Sequence, residues 1–85
     1  FDAICKELTS LQQKKFRFDS KEVLAVIGRH YRWLKKFWIP TKDSYAEHGK
    51  FIEESELKKA YEAFHPQLPQ FISKAIQAYA EKEMS

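Results

Sequence analysis

Cysteine is nearly missing from this chain: Cys5 stands alone among 85 residues. One thiol cannot close an internal disulfide, and cysteine-based structural zinc sites are excluded with it, so a reducing, cytoplasmic setting is expected. Glycine is almost as scarce, at two residues. There is no glycine-rich phosphate loop, no HExxH and no nucleophile elbow, so catalysis is not expected. Cys5 itself sits beside Ile4 in a helical pattern and reads as a small buried hydrophobe rather than a nucleophile. No apolar run approaches the roughly 18 residues of a membrane span, and no signal-peptide pattern opens the chain. A soluble protein with no membrane partner is expected. The three histidines, His30, His48 and His65, come from separate segments and lack the i, i+4 pairing of a convincing metal site, so neither a metal nor a cofactor is expected. Strict apolar–polar alternation is missing too, which argues against strands and for an all-α fold.

What is present is hydrophobic and aromatic: 44% and 15% of residues, beside 32% charged. That composition is globular, and the length suits one small domain spanning residues 1–85. A domain of this size buries only about 60% of its unfolded surface, so its margins are thin. Phe1 is not an initiating methionine, and apolar periodicity is already running at Phe1, Ile4, Leu8 and Leu11. The chain therefore reads as an excised piece.

The periodicity predicts five helices. The first runs from about Phe1 to Lys14 or Lys15, followed by FRFDS as a connection. Asp19, three residues before Glu22, resembles a capping box and starts a second helix near Ser20, which runs to about Trp38 before Pro40 ends it. Thr41 caps a short third helix carrying Tyr45, and Gly49 is placed to close it, with continuation to about Ile52 as the alternative. Glu53, Glu54 and Glu56 suit the positive end of a fourth helix, in which Leu57, Ala60, Tyr61 and Phe64 keep helical spacing until Pro66. Pro69 then opens a fifth helix, marked by Phe71, Ile72, Ala75, Ile76 and Tyr79, that frays near Glu83.

The segment from Val23 to Trp38 carries the most information about function. At 100° per residue, Val23, Val26, Ile27, His30, Trp33, Leu34, Phe37 and Trp38 form one face, and Arg29, Arg32, Lys35 and Lys36 the other. His30 lies in the middle of the apolar side. Two readings stand: a core histidine satisfied by a carbonyl or by a hydroxyl such as Tyr45 or Tyr61, or a group that orients a ligand. The aromatics Trp33, Phe37, Trp38, Tyr45, Phe51, Tyr61, Phe64 and Phe71 likewise read singly as core. Together they exceed what so small a bundle needs, so part of that surface is expected to line a groove or a partner face. The basic face, with Lys21, reads as solvated rather than as a nucleic-acid surface. Net charge is only +3, and no helix-turn-helix pairing with a short glycine turn is present.

Taken in order, His30, Trp33 and Phe37, then Tyr45, Phe51-Ile52 with Glu54 and Leu57, then Tyr61, Pro66, Leu68, Phe71, Ala75-Ile76 and Tyr79-Ala80 resemble the TipAS antibiotic-recognition domain. The resemblance is clearest from Ser20 to Glu81. It implies a globin-like bundle enclosing a ligand cleft: the effector-binding half of a MerR-family transcription activator, with DNA contacted only through an N-terminal winged-helix domain outside these residues. It also implies a homodimer in the full-length regulator. The ligand would be a bulky, largely apolar or antibiotic-like compound, bound by His30, Trp33, Phe37, Tyr45, His48, Phe51, Tyr61 and Phe64. This chain departs from the family pattern at Phe51, Glu54, Leu57 and Gln67. The prototype's capturing cysteine aligns near Ala46, so binding is expected to be reversible. The rival reading is a helical protein-interaction or dimerisation module without a small-molecule ligand.

Overall fold

The computed structural model describes residues 2–84. Among them are five helices and no strand: α1 (Asp2–Gln13), α2 (Lys21–Leu34), α3 (Lys42–Glu54), α4 (Lys58–Glu62) and α5 (Leu68–Glu83). They form an all-α bundle of 30 × 28 × 20 Å, with α3 laid along α5, and α1 and α2 packed on one another and on α5. The core is aliphatic and continuous, running through Ile4, Cys5 and Leu8 of α1, Val23 and Ile27 of α2, Ile52 of α3, and Leu68, Ile72 and Ile76 of α5. Each buried Leu, Ile or Val contributes about 1.5–3 kcal/mol of transfer free energy, which is what a chain without disulfides relies on. Arg29 and Glu7 form an ion pair between α2 and α1 at the rim of this core. Both side chains are half exposed, and such a pair adds at most about 1 kcal/mol.

Several boundaries differ from the sequence expectation, each for a local reason. Ser20, not Asp19, caps α2, its hydroxyl accepting the Val23 N–H at 3.3 Å. Asp19 is engaged elsewhere: it accepts from Arg17 Nε at 3.0 Å and lies 3.9 Å from Lys82 of α5, and the Arg17 bond holds its carboxyl below the usual range. α2 ends at Leu34 rather than Trp38. Its last turn tightens into i→i+3 bonds, Lys36 N–H to Trp33 O and Phe37 N–H to Leu34 O, before Pro40 bars further helix. Thr41 does cap α3, in a reciprocal box with Ser44. Gly49 does not close that helix. It lies in the helix interior with ordinary negative φ, and α3 continues through Ile52 to Glu54. Glu53 and Glu54 therefore belong to the end of α3, and α4 shrinks to five residues without a side-chain cap. Pro69 lies in the first turn of α5, as the sequence predicts.

Two positions use backbone chemistry that the sequence does not advertise. Lys15 has φ 67°, and Phe16 N–H reaches back to Leu11 O at 3.0 Å. That is the Schellman end of α1, with lysine where glycine is the common choice. Gly49 is a close-approach residue: a Cβ there would lie 3.1 Å from both Ile76 Cγ2 and the Ser73 carbonyl oxygen. Gly28 is different, since a Cβ would meet Tyr79 at an ordinary 3.5 Å.

Gly49→Ala is expected to lower unfolding free energy by up to about 2 kcal/mol, because overpacking against a backbone carbonyl outweighs the helix-propensity gain of about 1 kcal/mol. Gly28→Ala keeps that gain and is expected to be neutral or stabilising. Lys15→Gly should stabilise by up to about 1 kcal/mol by relieving the left-handed conformation. Urea denaturation of the three variants, compared at constant slope, reads these signs.

Candidate functional site

α2 and α3 bring their aromatic and imidazole side chains together at one end of the bundle. The centre is a buried pair: His30 Nδ1 and the Tyr45 hydroxyl are 2.7 Å apart, with the two residues 1% and 0% exposed. Helical spacing on α3 places His48 one turn after Tyr45, and its ring stacks 6.0 Å from His30 and 6.5 Å from Tyr45. Spacing on α2 places Trp33 beside His30 at 6.1 Å, and Phe37 edge-on to Trp33 at 5.2 Å. Trp38, in the tightened turn after α2, meets His48 edge-on at 6.0 Å. Edge-on and offset pairs of this kind are favoured by the ring quadrupoles. The exposed edge is apolar: Phe37 is 69% exposed, Trp38 36% and Ile39 86%.

Burial sets the electrostatics. It drives the His30 pKa from 6.5 down to about 4, with His48 adding a smaller push in the same direction. His48 is also lowered by burial. The Tyr45 hydroxyl is raised, first by burial and then by the neighbouring Tyr79, Tyr61 and Tyr31. At neutral pH the cluster is thus an uncharged group of packed rings with a few hydrogen-bonding atoms. Among the described residues no group of three or more His, Cys, Asp or Glu is placed to hold a metal ion, and no helix is long and apolar enough to cross a membrane.

Of the eight residues singled out from the sequence, His30, Trp33, Phe37, Tyr45 and His48 meet in this cluster. The other three sit elsewhere. Phe51 is 55% exposed on α3. Tyr61 is buried on α4, close enough to Cys5 of α1 for that thiol to raise its hydroxyl pKa further. Phe64 borders a shallow groove with Lys6, Thr9, Ser10 and Gln13 of α1. Two further rings extend the cluster toward α5: Tyr31 lies 5.4 Å from Tyr45 and 5.7 Å from Tyr79, and Tyr79 lies 6.0 Å from Tyr45. Tyr79 was legible as an inward position of the last helix. Tyr31 falls between the two faces of α2 and gave no such signal. An open groove of about 450 Å³ runs between α2 and α5, lined by Leu24, Ala25, Gly28 and Tyr79 with Lys21, Arg32 and Glu83 at its rim. None of the eight residues lines it. The basic face of Arg29, Arg32, Lys35 and Lys36 is exposed throughout.

An all-α bundle with a buried His–Tyr pair inside an aromatic cluster fits a small recognition domain, and the chain belongs to the TipAS antibiotic-recognition domain family, whose model matches residues 1–79. It is similar to the HTH-type transcriptional regulator SkgA of Caulobacter vibrioides, in strain NA1000 / CB15N and in strain ATCC 19089 / CIP 103742 / CB 15. Each is 32% identical over 81 residues, covering 92% of this chain and 32% of the relative. The chain therefore spans about one third of the length of these relatives. No solved structure matches it significantly.

The neutral buried His30 makes stability pH-dependent. The unfolded chain takes up a proton near pH 6.5, whereas the folded chain does so only near 4, so stability falls as pH drops through that window. The His30 contribution to the loss is about 2 kcal/mol between pH 7.5 and 5. His48 acts in the same direction. Urea denaturation across this range reads the slope, and the His30 ring-proton NMR shift should stay flat above pH 5. A folded-state midpoint near 6.5 would overturn the assignment.

Proposed function

We propose that this chain is the ligand-sensing domain of a transcriptional regulator and that it binds bulky, largely apolar compounds reversibly. The observation that carries this is the convergence of Trp33, Phe37, Trp38 and His48 around the buried His30–Tyr45 pair, with an exposed aromatic edge beside it. Rigid rings supply contact area at low entropic cost, and His30, Tyr45 and His48 supply the few polar contacts that fix orientation. Family membership and the similarity to an HTH-type regulator support a sensing role and a non-catalytic one. In this reading the DNA-binding part lies outside these 85 residues, which form one effector-binding domain of a cytoplasmic, homodimeric regulator. Capture is non-covalent: Cys5, the chain's one thiol, is fully buried in the aliphatic core, and burial pushes its pKa up to about 11.

One observation favours a second reading. Phe37, Ile39, Phe51 and Leu57 are large apolar side chains at 69%, 86%, 55% and 40% exposure, the kind of surface a partner helix or a second copy covers.

A thermal-shift series against thiopeptides and other bulky apolar antibiotics separates the two. A ligand present at a hundredfold over its Kd stabilises by about 2.7 kcal/mol, a rise of 10 °C or more for a domain of this size. That rise should be lost in Trp38→Ala and Phe37→Ala, whose exposed positions leave the core intact. Melting that depends on protein concentration and on no compound would instead establish the interaction module.

A further inference from the structure

Two buried side-chain atoms among the described residues lack a hydrogen-bond partner: Gln12 Oε1 and His30 Nε2. Gln12 lies at a partly exposed position where its amide nitrogen reaches the Gln67 carbonyl at 3.5 Å. His30 is another matter, since its ring is 1% exposed and an unpaired imidazole nitrogen in an apolar enclosure is costly to keep.

The identity of that nitrogen follows from its neighbour. The Tyr45 hydroxyl carries one proton and has two acceptors in reach, His30 Nδ1 at 2.7 Å and the Ile27 carbonyl at 3.5 Å. A phenol proton goes to the nearer and more basic acceptor, and 2.7 Å is a strong hydrogen-bond length, whereas 3.5 Å is at the edge of bonding. Tyr45 then donates to Nδ1, and the single proton of the neutral imidazole must sit on Nε2. Burial keeps the ring neutral at pH 7, so the ring offers one N–H.

We infer that Tyr45 fixes His30 as the Nε2–H tautomer, and that this N–H is the donor by which the cluster selects an aromatic ligand bearing a hydrogen-bond acceptor, a carbonyl oxygen or a ring nitrogen. The inference rests on the sensing role proposed above and names the chemistry its ligand must carry. An acceptor-bearing ring gives Nε2–H its missing partner, while a purely hydrocarbon ring of the same shape leaves it orphaned. A site with an unsatisfied donor discriminates on that atom more sharply than on ring size. His30 is enclosed, so binding requires a neighbouring ring to move, and Trp33 and His48, which pack on it at 6.1 and 6.0 Å and are only half-buried, are the rings with room to do so.

The test uses the whole 85-residue chain with ¹⁵N-labelled histidine. Long-range ¹H–¹⁵N correlation should show His30 protonated at Nε2 and bare at Nδ1, and Tyr45→Phe, which keeps the ring, should relax that preference. Titration at pH 7.5, where isoquinoline is neutral, then compares isoquinoline with naphthalene, two rings of one shape that differ by a nitrogen. Isoquinoline should bind about tenfold tighter, the difference of one hydrogen bond, and should move the His30 N–H resonance downfield. The preference should shrink in Tyr45→Phe. An Nδ1–H tautomer in the unaltered protein overturns the inference whatever the ligands do. Equal binding of both rings overturns it while leaving the aromatic site standing. Binding of neither ring, with the Nε2–H tautomer in place, overturns the recognition step, while the sensing of bulkier compounds stands or falls on the thermal-shift series.

Discussion

The closeness of α3 to α5 is the constraint on which the remaining structure depends. It is possible because residue 49 has no side chain: Gly49 lies against Ile76 and the Ser73 carbonyl where a methyl group would not fit without movement. Tyr45 is one turn earlier on the same helix and His48 is the adjacent residue, so the approach that seats Gly49 also sets the depth to which both rings reach. Tyr45 is fully buried as a result, and its hydroxyl meets His30 across the gap to α2. The aromatic cluster is thus a by-product of helix–helix packing at a glycine.

The inward faces of the helices could be read from the chain because burial follows a fixed period. Val23, Val26, Ile27, His30 and Leu34 are buried on α2, as 3.6-residue spacing requires. Boundaries were less legible, because they turn on competition between neighbouring groups. Asp19 and Ser20 are both good caps, and only the position of Arg17 and Lys82 decides that Asp19 is drawn away. Gly49 illustrates a deeper ambiguity: glycine marks the end of a helix or a close contact within one, and a local pattern carries no information about the partner helix.

The same logic explains the site residues. His30 and Trp33 lie on the plainly periodic face of α2, whereas Tyr45 and His48 lie on a helix whose extent the sequence leaves open, so their convergence was legible from one side only. Phe51, Tyr61 and Phe64 share the aromatic character but sit on other faces of α3 and α4, or on the segment after α4. Aromatic content alone does not say which cluster a ring joins. The connection between the apolar edge and the interior was legible only in part, since Phe37 and Trp38 fit a continued helix and instead occupy a tightened turn.

That turn also makes the two helices a closed circuit. The His30–Tyr45 bond joins residues 15 apart in the chain, so it acts as a clasp on a short loop whose outermost part is Phe37–Ile39. A loop held at both ends has few internal degrees of freedom. The clasp thus ties a fully enclosed polar contact to the exposed apolar surface of Phe37 and Ile39 through one short stretch of chain.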